Sequence, residues 1–313
     1  MRFAGKEAQE RKNQVKKDAY NAGIENRPSH TAPLRPMKTL TTALLLASLV
    51  ATLTGCAEIP PSTTPENVPG GRPGHVIGYL KPGNIPDSNA FLPPPPARGS
   101  AAFAADEEAY RGTRALRDTP RWHWAAKDAD LGSDASLSAF ACALGQPISG
   151  TETPHIKALL SRLRADTALA TASAKKAYQR QRPYLAHGDT SCTPDEHHKA
   201  DSYPSSHSAI GWVWALMLAE IAPQRGDILL RRGLAFGDSR IICGVHWKSD
   251  VEAGRLIGAA TFSRLHSEPD FVAQMKFARK EIRGTGPLPP DSACTAELKA
   301  LEDCLHQAPD LES

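Results

Sequence analysis

The sequence predicts an all-α protein, and three observations carry that reading. From Ala101 onward alanine, leucine and charged residues recur at helical spacing, no β-branched alternating run of convincing length interrupts them, and short proline- or glycine-marked turns separate the periodic stretches. Helices are expected near residues 103–118, 135–143, 154–180, 206–222, 224–238, 247–266 and 269–283, forming one domain over 78–284. The first follows "LPPPPARGS", whose prolines exclude a helix. Pro183 stops the third, because its ring disfavours helical geometry at Arg182. The fourth contains "IGWVWALMLAEI", Ile210 to Ile221, which is nearly continuous apolar and so belongs in the middle of a bundle. Trp212 and Trp214 are therefore expected in the core. A turn marked by Gly244 leads into the sixth, which starts near His246. Beyond Gly284, "TGPLPPDSAC" opens a tail, 285–313, with no legible role, and the chain holds no internal repeat.

With 313 residues, 41% of them hydrophobic, the chain is long enough to bury a proper core. Its net charge of +3 is unevenly placed. Residues 1–36 carry eight Lys/Arg against four Asp/Glu and Lys38 adds one more cation, whereas the chain from Cys56 onward holds 28 basic and 30 acidic residues. The basic balance belongs to the leader, and no nucleic-acid footprint remains. From Met37 the text reads "MKTLTTALLLASLVATLTGC", with sixteen uncharged residues from Thr39 to Thr54. This is the layout of a secretory signal, short of the ~18 residues expected of a membrane-spanning helix. Its ending, Leu53-Thr54-Gly55-Cys56, resembles a bacterial lipoprotein signal. That likeness implies a signal peptide over 37–55, lipidation at Cys56 and, from Ala57 in place of Asp, outer-membrane sorting. Residues 1–36 are expected to be untranslated, with synthesis starting at Met37, or disordered. The expected location is the periplasm, with membrane contact only through the lipid anchor.

A Pro/Gly-rich tether is expected over 56–77. Eleven of the 26 prolines fall between Ile59 and Arg98, and the stretch reads as extended chain, either a plain linker or packed at its end on the domain. Besides Cys56 there are five cysteines, an odd count in a compartment that permits disulfides. Cys294 with Cys304 would close a short loop in the tail, and Cys192 with Cys243 would tie two motif-bearing segments; any of them could equally be a small buried hydrophobe.

Three segments carry the chemistry. In "KKAYQRQRPY", Lys175 and Arg182 are seven residues apart, so on a helix they share one face about 10 Å apart along the axis; a basic helix end exposed to solvent reads the same way. In "SYPSSHSAIGW", proline and serines precede a strongly apolar helix. The amides near Ser205, Ser206 and His207 then lie at its N-terminus, an anion site, although Ser206 as a plain cap fits as well. In "SRIICGVHWKSD", His246 and Asp250 are four apart, so the carboxylate can orient the imidazole as a nucleophile while Arg240 arrives across the turn. A buried Arg–Asp pair beside a bystander histidine is the alternative. Taken together, three segments supplying anion binders or histidines to a near-neutral body point to one site. Burying Lys175, Arg182 and Arg240 unpaired would cost several kcal/mol, so a phosphate monoester with close to two negative charges is their natural partner. "DEHHKAD", residues 195–201, suggests metal ligands at His197, His198 and Asp201, but reads better as a polar loop bordering the pocket.

The pattern Lys175, six residues, Arg182-Pro183; Pro204-Ser205-Ser206-His207; Ser239-Arg240, five residues, His246, three residues, Asp250 closely resembles the three-part signature of the type-2 phosphatidic acid phosphatase superfamily, which also includes vanadium haloperoxidases. Within it the chain is most similar to the bacterial class A nonspecific acid phosphatases, over about residues 78–280 and through "YLKPG", "LAEIAPQR" and "SRIICGVHWKSDVEAGR" as well. The resemblance implies a helical bundle and an acid phosphatase hydrolysing a broad range of phosphomonoesters, nucleotides included, through a phosphohistidine. His246 would be the nucleophile, Asp250 its orienting carboxylate and His207 the general acid and base. Lys175, Arg182, Arg240 and the amides near Ser205 and Ser206 would bind phosphate, with no metal and no cofactor. Phosphotransfer as a side activity and a homo-oligomer are compatible with it. The alternatives are a vanadate-dependent haloperoxidase or a non-catalytic periplasmic phosphate-binding protein. In one departure, Ser206 stands where the family usually has glycine, which adds a Cβ near the ligand and a cost of roughly 1–2 kcal/mol if the position needs a positive φ.

Overall fold

The computed structural model describes residues 59–71, 74–132, 134–137, 139–194, 201–283 and 292–302. The leader, the signal peptide, Cys56, Cys304, His197 and His198 lie outside the described residues. Among those described, the structure is helical, and the one strand-like pairing is an isolated bridge between Asn67 and Val76. The main helices are α1 (Ala101–Thr113), α2 (Pro120–Lys127), α3 (Pro154–Ala170), α4 (Ala172–Tyr178), α5 (Ser206–Ile221), α6 (Gly226–Ile242), α7 (Lys248–Leu265), α8 (Pro269–Lys280) and α9 (Ser292–Glu302).

Several departures from the expected elements have local causes. The expected 154–180 helix breaks at Thr171, whose hydroxyl donates to the carbonyl of Ala168 at 2.8 Å and so competes with the regular ladder. Its continuation, α4, ends at Tyr178 because Gln179 takes a φ of +43°, four residues before Pro183. Arg182 is then extended, as a following proline requires, and Lys175 and Arg182 do not share a helix face. The expected 135–143 helix is two single turns, Asp134–Leu137 and Ala141–Leu144. Helix α2 was not expected, although Thr119 caps it through the amide of Trp122 and Pro120 opens it.

Helix α5 is the hub, packed against α3, α6 and α7. Ile210, Val213, Trp214, Met217 and Leu218 are fully buried, each contributing roughly 1.5–3 kcal/mol. Trp214 satisfies its indole N–H on the carbonyl of Leu160 at 2.9 Å, while Trp212 sits half-buried at the edge of the core. The backbones of α5 and α7 approach closely at two glycines. A Cβ at Gly254 would lie 2.4 Å from the Ser205 carbonyl oxygen, and one at Gly258 would lie 2.6 Å from that of Ala209. This contact fixes the N-terminus of α5 beside the first turn of α7, and those two ends carry His207 and Asp250.

The segment before α1 also packs. Tyr79 and Leu80 are buried, and their amides donate to the Asp166 carboxylate at 2.8 and 3.1 Å. Leu92 is buried, and the carbonyl of Pro93 accepts from Tyr203 Oη at 2.7 Å. Among the described residues two disulfides join distant segments, Cys192–Cys243 and Cys142–Cys294. The second corrects the expected Cys294–Cys304 loop: the tail helix α9 is fastened to the short helix at Ala141–Leu144. Glu297 of α9 adds an ion pair with Arg232 of α6 at 2.6 Å. No helix among the described residues is long and apolar enough to cross a membrane.

Candidate active site

The third segment is built around a chain reversal. Gly244 takes a φ of +81°, and the amides of Val245 and His246 fold back onto the carbonyl of Arg240 at 3.1 and 3.2 Å. Arg240 in the last turn of α6 and His246 after it are thereby held together, both buried. Helix α7 begins two residues later, with Asp250 in its first turn capping the amide of Trp247 at 2.9 Å.

Asp250 is fully buried and well satisfied. One oxygen accepts from Arg180 Nη1 at 2.6 Å, and the other from Ser202 Oγ at 2.5 Å. His246 Nδ1 faces that second oxygen at 3.6 Å, beyond hydrogen-bond length, with Ser202 Oγ 3.4 Å from the same nitrogen. Asp250 therefore sets the ring orientation through charge and through Ser202, not by a direct bond. The other nitrogen, Nε2, lies 3.1 Å from Arg182 Nη1. A guanidinium only donates, so this contact leaves the lone pair on Nε2 and the proton on Nδ1.

Arg182 is buried and also donates to the carbonyl of Val245 at 2.8 Å and to Asp201 Oδ1 at 2.8 Å. Lys175 Nζ donates to the carbonyl of Asp201 at 2.5 Å. Burial pushes the Lys175 ammonium down to about 8, against the pull of Asp201 and with Arg182 adding to the depression. Asp201, one of the residues with a metal-ligand reading, is thus the partner of both cations. Among the described residues no group of three His, Cys, Asp or Glu is placed to hold a metal ion.

The second segment supplies the helix N-terminus. Ser205 gives its amide to the carbonyl of Asp250 at 2.9 Å, and its hydroxyl accepts from the amide of Ser208 at 3.3 Å. Expected among the phosphate ligands through its amide, Ser205 instead welds α5 to α7. The first-turn amides of Ser206 and His207 are the ones without an intrahelical acceptor. Ser206 opens α5, and its φ is not positive, so the penalty considered for a non-glycine residue does not apply. Its hydroxyl lies 2.7 Å from Thr171 Oγ1, which already donates to Ala168, so Ser206 donates away toward the α3–α4 junction.

His207 follows, with Nε2 2.8 Å from the carbonyl of Ala129. Its pKa is pushed well below the usual imidazole range, first by burial, then by Arg240, with His246 and Arg182 adding and the Ala129 contact opposing. The three segments are joined directly: Arg182 Nη1 reaches His246 Nε2 at 3.1 Å, and Ser205, two residues before His207, donates its amide to the carbonyl of Asp250 at 2.9 Å.

Four contributors were not legible beforehand. Arg180 bridges Asp250 and the buried Asp106 of α1, to which it donates at 2.7 Å; its place two residues before Arg182 was the one hint. Ser202, Asp106 and the carbonyl of Ala129 carry no spacing signal.

Residues 157–268 match the model of the PAP2 superfamily. The chain is 45% identical over 208 residues to the non-specific acid phosphatase of Providencia stuartii, covering 65% of this chain and 84% of that protein. The non-specific acid phosphatase of Salmonella typhimurium is 40% identical over 211 residues, 66% of this chain and 84% of the relative. The acid phosphatase of Zymomonas mobilis is 37% identical over 220 residues, with coverages of 68% and 83%.

Proposed function

The chain belongs to the class A bacterial acid phosphatases of the PAP2 superfamily, and on that premise we propose that it hydrolyses phosphomonoesters through a phosphohistidine on His246. The observation that carries the proposal is the 3.1 Å approach of Arg182 to His246 Nε2, which sets a nucleophilic lone pair against a cation suited to the phosphate oxygens. Lys175, Arg182, Arg240 and the amides of Ser206 and His207 hold the non-bridging oxygens. Nε2 attacks phosphorus in line, the bond to the leaving oxygen breaks, and His207 protonates that oxygen. Neutral His207 then takes a proton from water as the water attacks phosphorus; the P–N bond breaks, and its electron pair returns to His246.

Fixed cations suit this chemistry, because phosphoryl transfer depends mainly on positioning and preorganised charge. Burial, and after it these cations, lower the pKa of His207, whereas an incoming phosphate dianion favours its proton. The substrate thus helps to load its own acid, which supports an acidic optimum. A broad range of esters, nucleotides among them, and transfer to alcohols as well as water follow from recognition confined to the phosphate. Periplasmic residence with a lipid at Cys56 is part of the same proposal.

Rapid quench into alkaline denaturant tests the covalent step. A stabilised phosphohistidine is expected from His207→Ala with a good leaving group, a lesser amount from the wild type, and none from His246→Ala. Absence of phosphoenzyme from both wild type and His207→Ala would contradict the scheme.

A further inference from the structure

We propose that Asp128, which lies outside the three-part signature, is the positioning residue for His207: it holds the α2 C-terminal turn so that the Ala129 carbonyl pins Nε2–H and leaves Nδ1 as the proton-delivering atom. Asp128 caps α2 and is buried. One of its oxygens accepts from Arg232 Nη2 at 2.6 Å; the other accepts from Ser239 Oγ at 2.6 Å and from Arg232 Nη1 at 3.2 Å. Ser239 is in turn held by Arg121 Nη1 at 2.9 Å, and Arg232 by Glu297 of the tail helix. A single carboxylate thus locks the end of α2 to the middle and the last turn of α6. The residue after Asp128 is Ala129, whose carbonyl meets His207, and the residue after Ser239 is Arg240, one of the proposed phosphate-binding cations.

A carbonyl oxygen accepts and never donates. Its 2.8 Å contact therefore requires a proton on Nε2 whether His207 is neutral or cationic, and the proton that comes and goes resides on Nδ1. Without the pinned carbonyl the imidazole could turn and present a C–H edge to the leaving oxygen. In the transfer itself the P–O bond breaks, its electron pair stays on the leaving oxygen, and the Nδ1 proton joins it while Nε2–H is retained. Ser239 acquires a role on the same grounds: its hydroxyl couples the turn that orients the acid to the helix that carries Arg240.

The inference rests on the reading of His207 as the general acid, and the test separates the two. kcat/KM is measured for an alkyl phosphate, whose alkoxide needs a proton to leave, and for 2,4-dinitrophenyl phosphate, whose phenolate does not. The ratio of the two reports the acid alone, because uniform damage to binding or folding cancels. His207→Ala is expected to lower that ratio by about 10²–10⁴, and Asp128→Asn and Ser239→Ala by about 10–10² through misplacement. Melting curves establish that each variant is folded; if Asp128→Asn is not, Ser239→Ala decides, since it leaves the Asp128–Arg232 pair in place. Equal losses on both substrates in the Asp128 and Ser239 variants, with the His207 variant behaving as expected, would overturn this inference alone. An unchanged ratio in His207→Ala would remove the acid assignment, and the positioning role with it.

Discussion

Asp166 should make the protein more stable in acid than at neutral pH. It lies fully buried in α3, accepting the amides of Tyr79 and Leu80, and burial raises its carboxyl from 3.8 to about 6; those two amides and then Arg162 oppose the rise, and Glu268 adds to it. Between those two pKa values the folded state binds more protons than the unfolded state, so stability falls as pH rises across the window. Below 3.8 both states are protonated and the contribution is constant; above 6 the folded protein carries the desolvated charge in full. Two pH units at about 1.4 kcal/mol each give roughly 3 kcal/mol, or about 6–12 °C in Tm for a domain of this size. The assay is thermal unfolding of wild type and Asp166→Asn from pH 4 to 8. The asparagine cannot ionise and has one carbonyl oxygen for two amides, so it should be less stable by about 1–3 kcal/mol at acid pH. Its deficit should shrink or reverse toward pH 8. Parallel curves for the two proteins would refute the burial argument.

Other expectations concern the site more directly. For alkyl phosphates kcat/KM should decline as pH rises through the depressed His207 pKa; with His207→Ala and 2,4-dinitrophenyl phosphate the decline should move to near pH 8, where Lys175 loses its proton. A steady-state pH profile of each pair checks this, and an unchanged alkaline limb would count against both assignments. Ser206→Gly should cost about 1–2 kcal/mol in denaturant unfolding, from the lost Thr171 contact and the freer backbone, with kcat/KM altered less than about threefold because the amide remains. A tenfold gain would mean that the serine obstructs the phosphate. Replacing Cys192 and Cys243 by serine opens a loop spanning 51 residues, and urea unfolding should show a loss of about 2–4 kcal/mol. KM should rise too, since the bridge ties the segment after Arg182 to the turn before His246.

The helices and the three cation or histidine clusters were legible because each depends on local pattern. Proline after Arg182, the serine cap before an apolar run and the four-residue spacing of His246 and Asp250 act through neighbouring backbone, which sequence displays directly. What spacing could not reveal was the arrangement inside each cluster. Lys175 and Arg182 meet at Asp201, with the left-handed Gln179 between them in the chain, and not along a helix face. His246 and Asp250, though four apart, meet with Ser202 between them, because the helix starts after His246 and its first turn spends the carboxylate on capping. Arg180 and Asp128 carry no local pattern for a different reason: a buried ion pair is defined by its partner, and theirs lie about 70 and 100 residues away. The tail is likewise defined from far away, since Cys294 pairs with Cys142 across the fold and not with a neighbour in sequence.

The proposed phosphate site joins His246 Nε2, Arg182, Lys175, Arg240 and the start of α5. The most direct measurement is a crystal structure of the enzyme soaked with orthovanadate. The account predicts vanadium bonded to His246 Nε2, its equatorial oxygens on the three cations and the Ser206 and His207 amides, and His207 Nδ1 facing the apical oxygen. Vanadate bound at another surface, or joined through Nδ1 of His246, would contradict it.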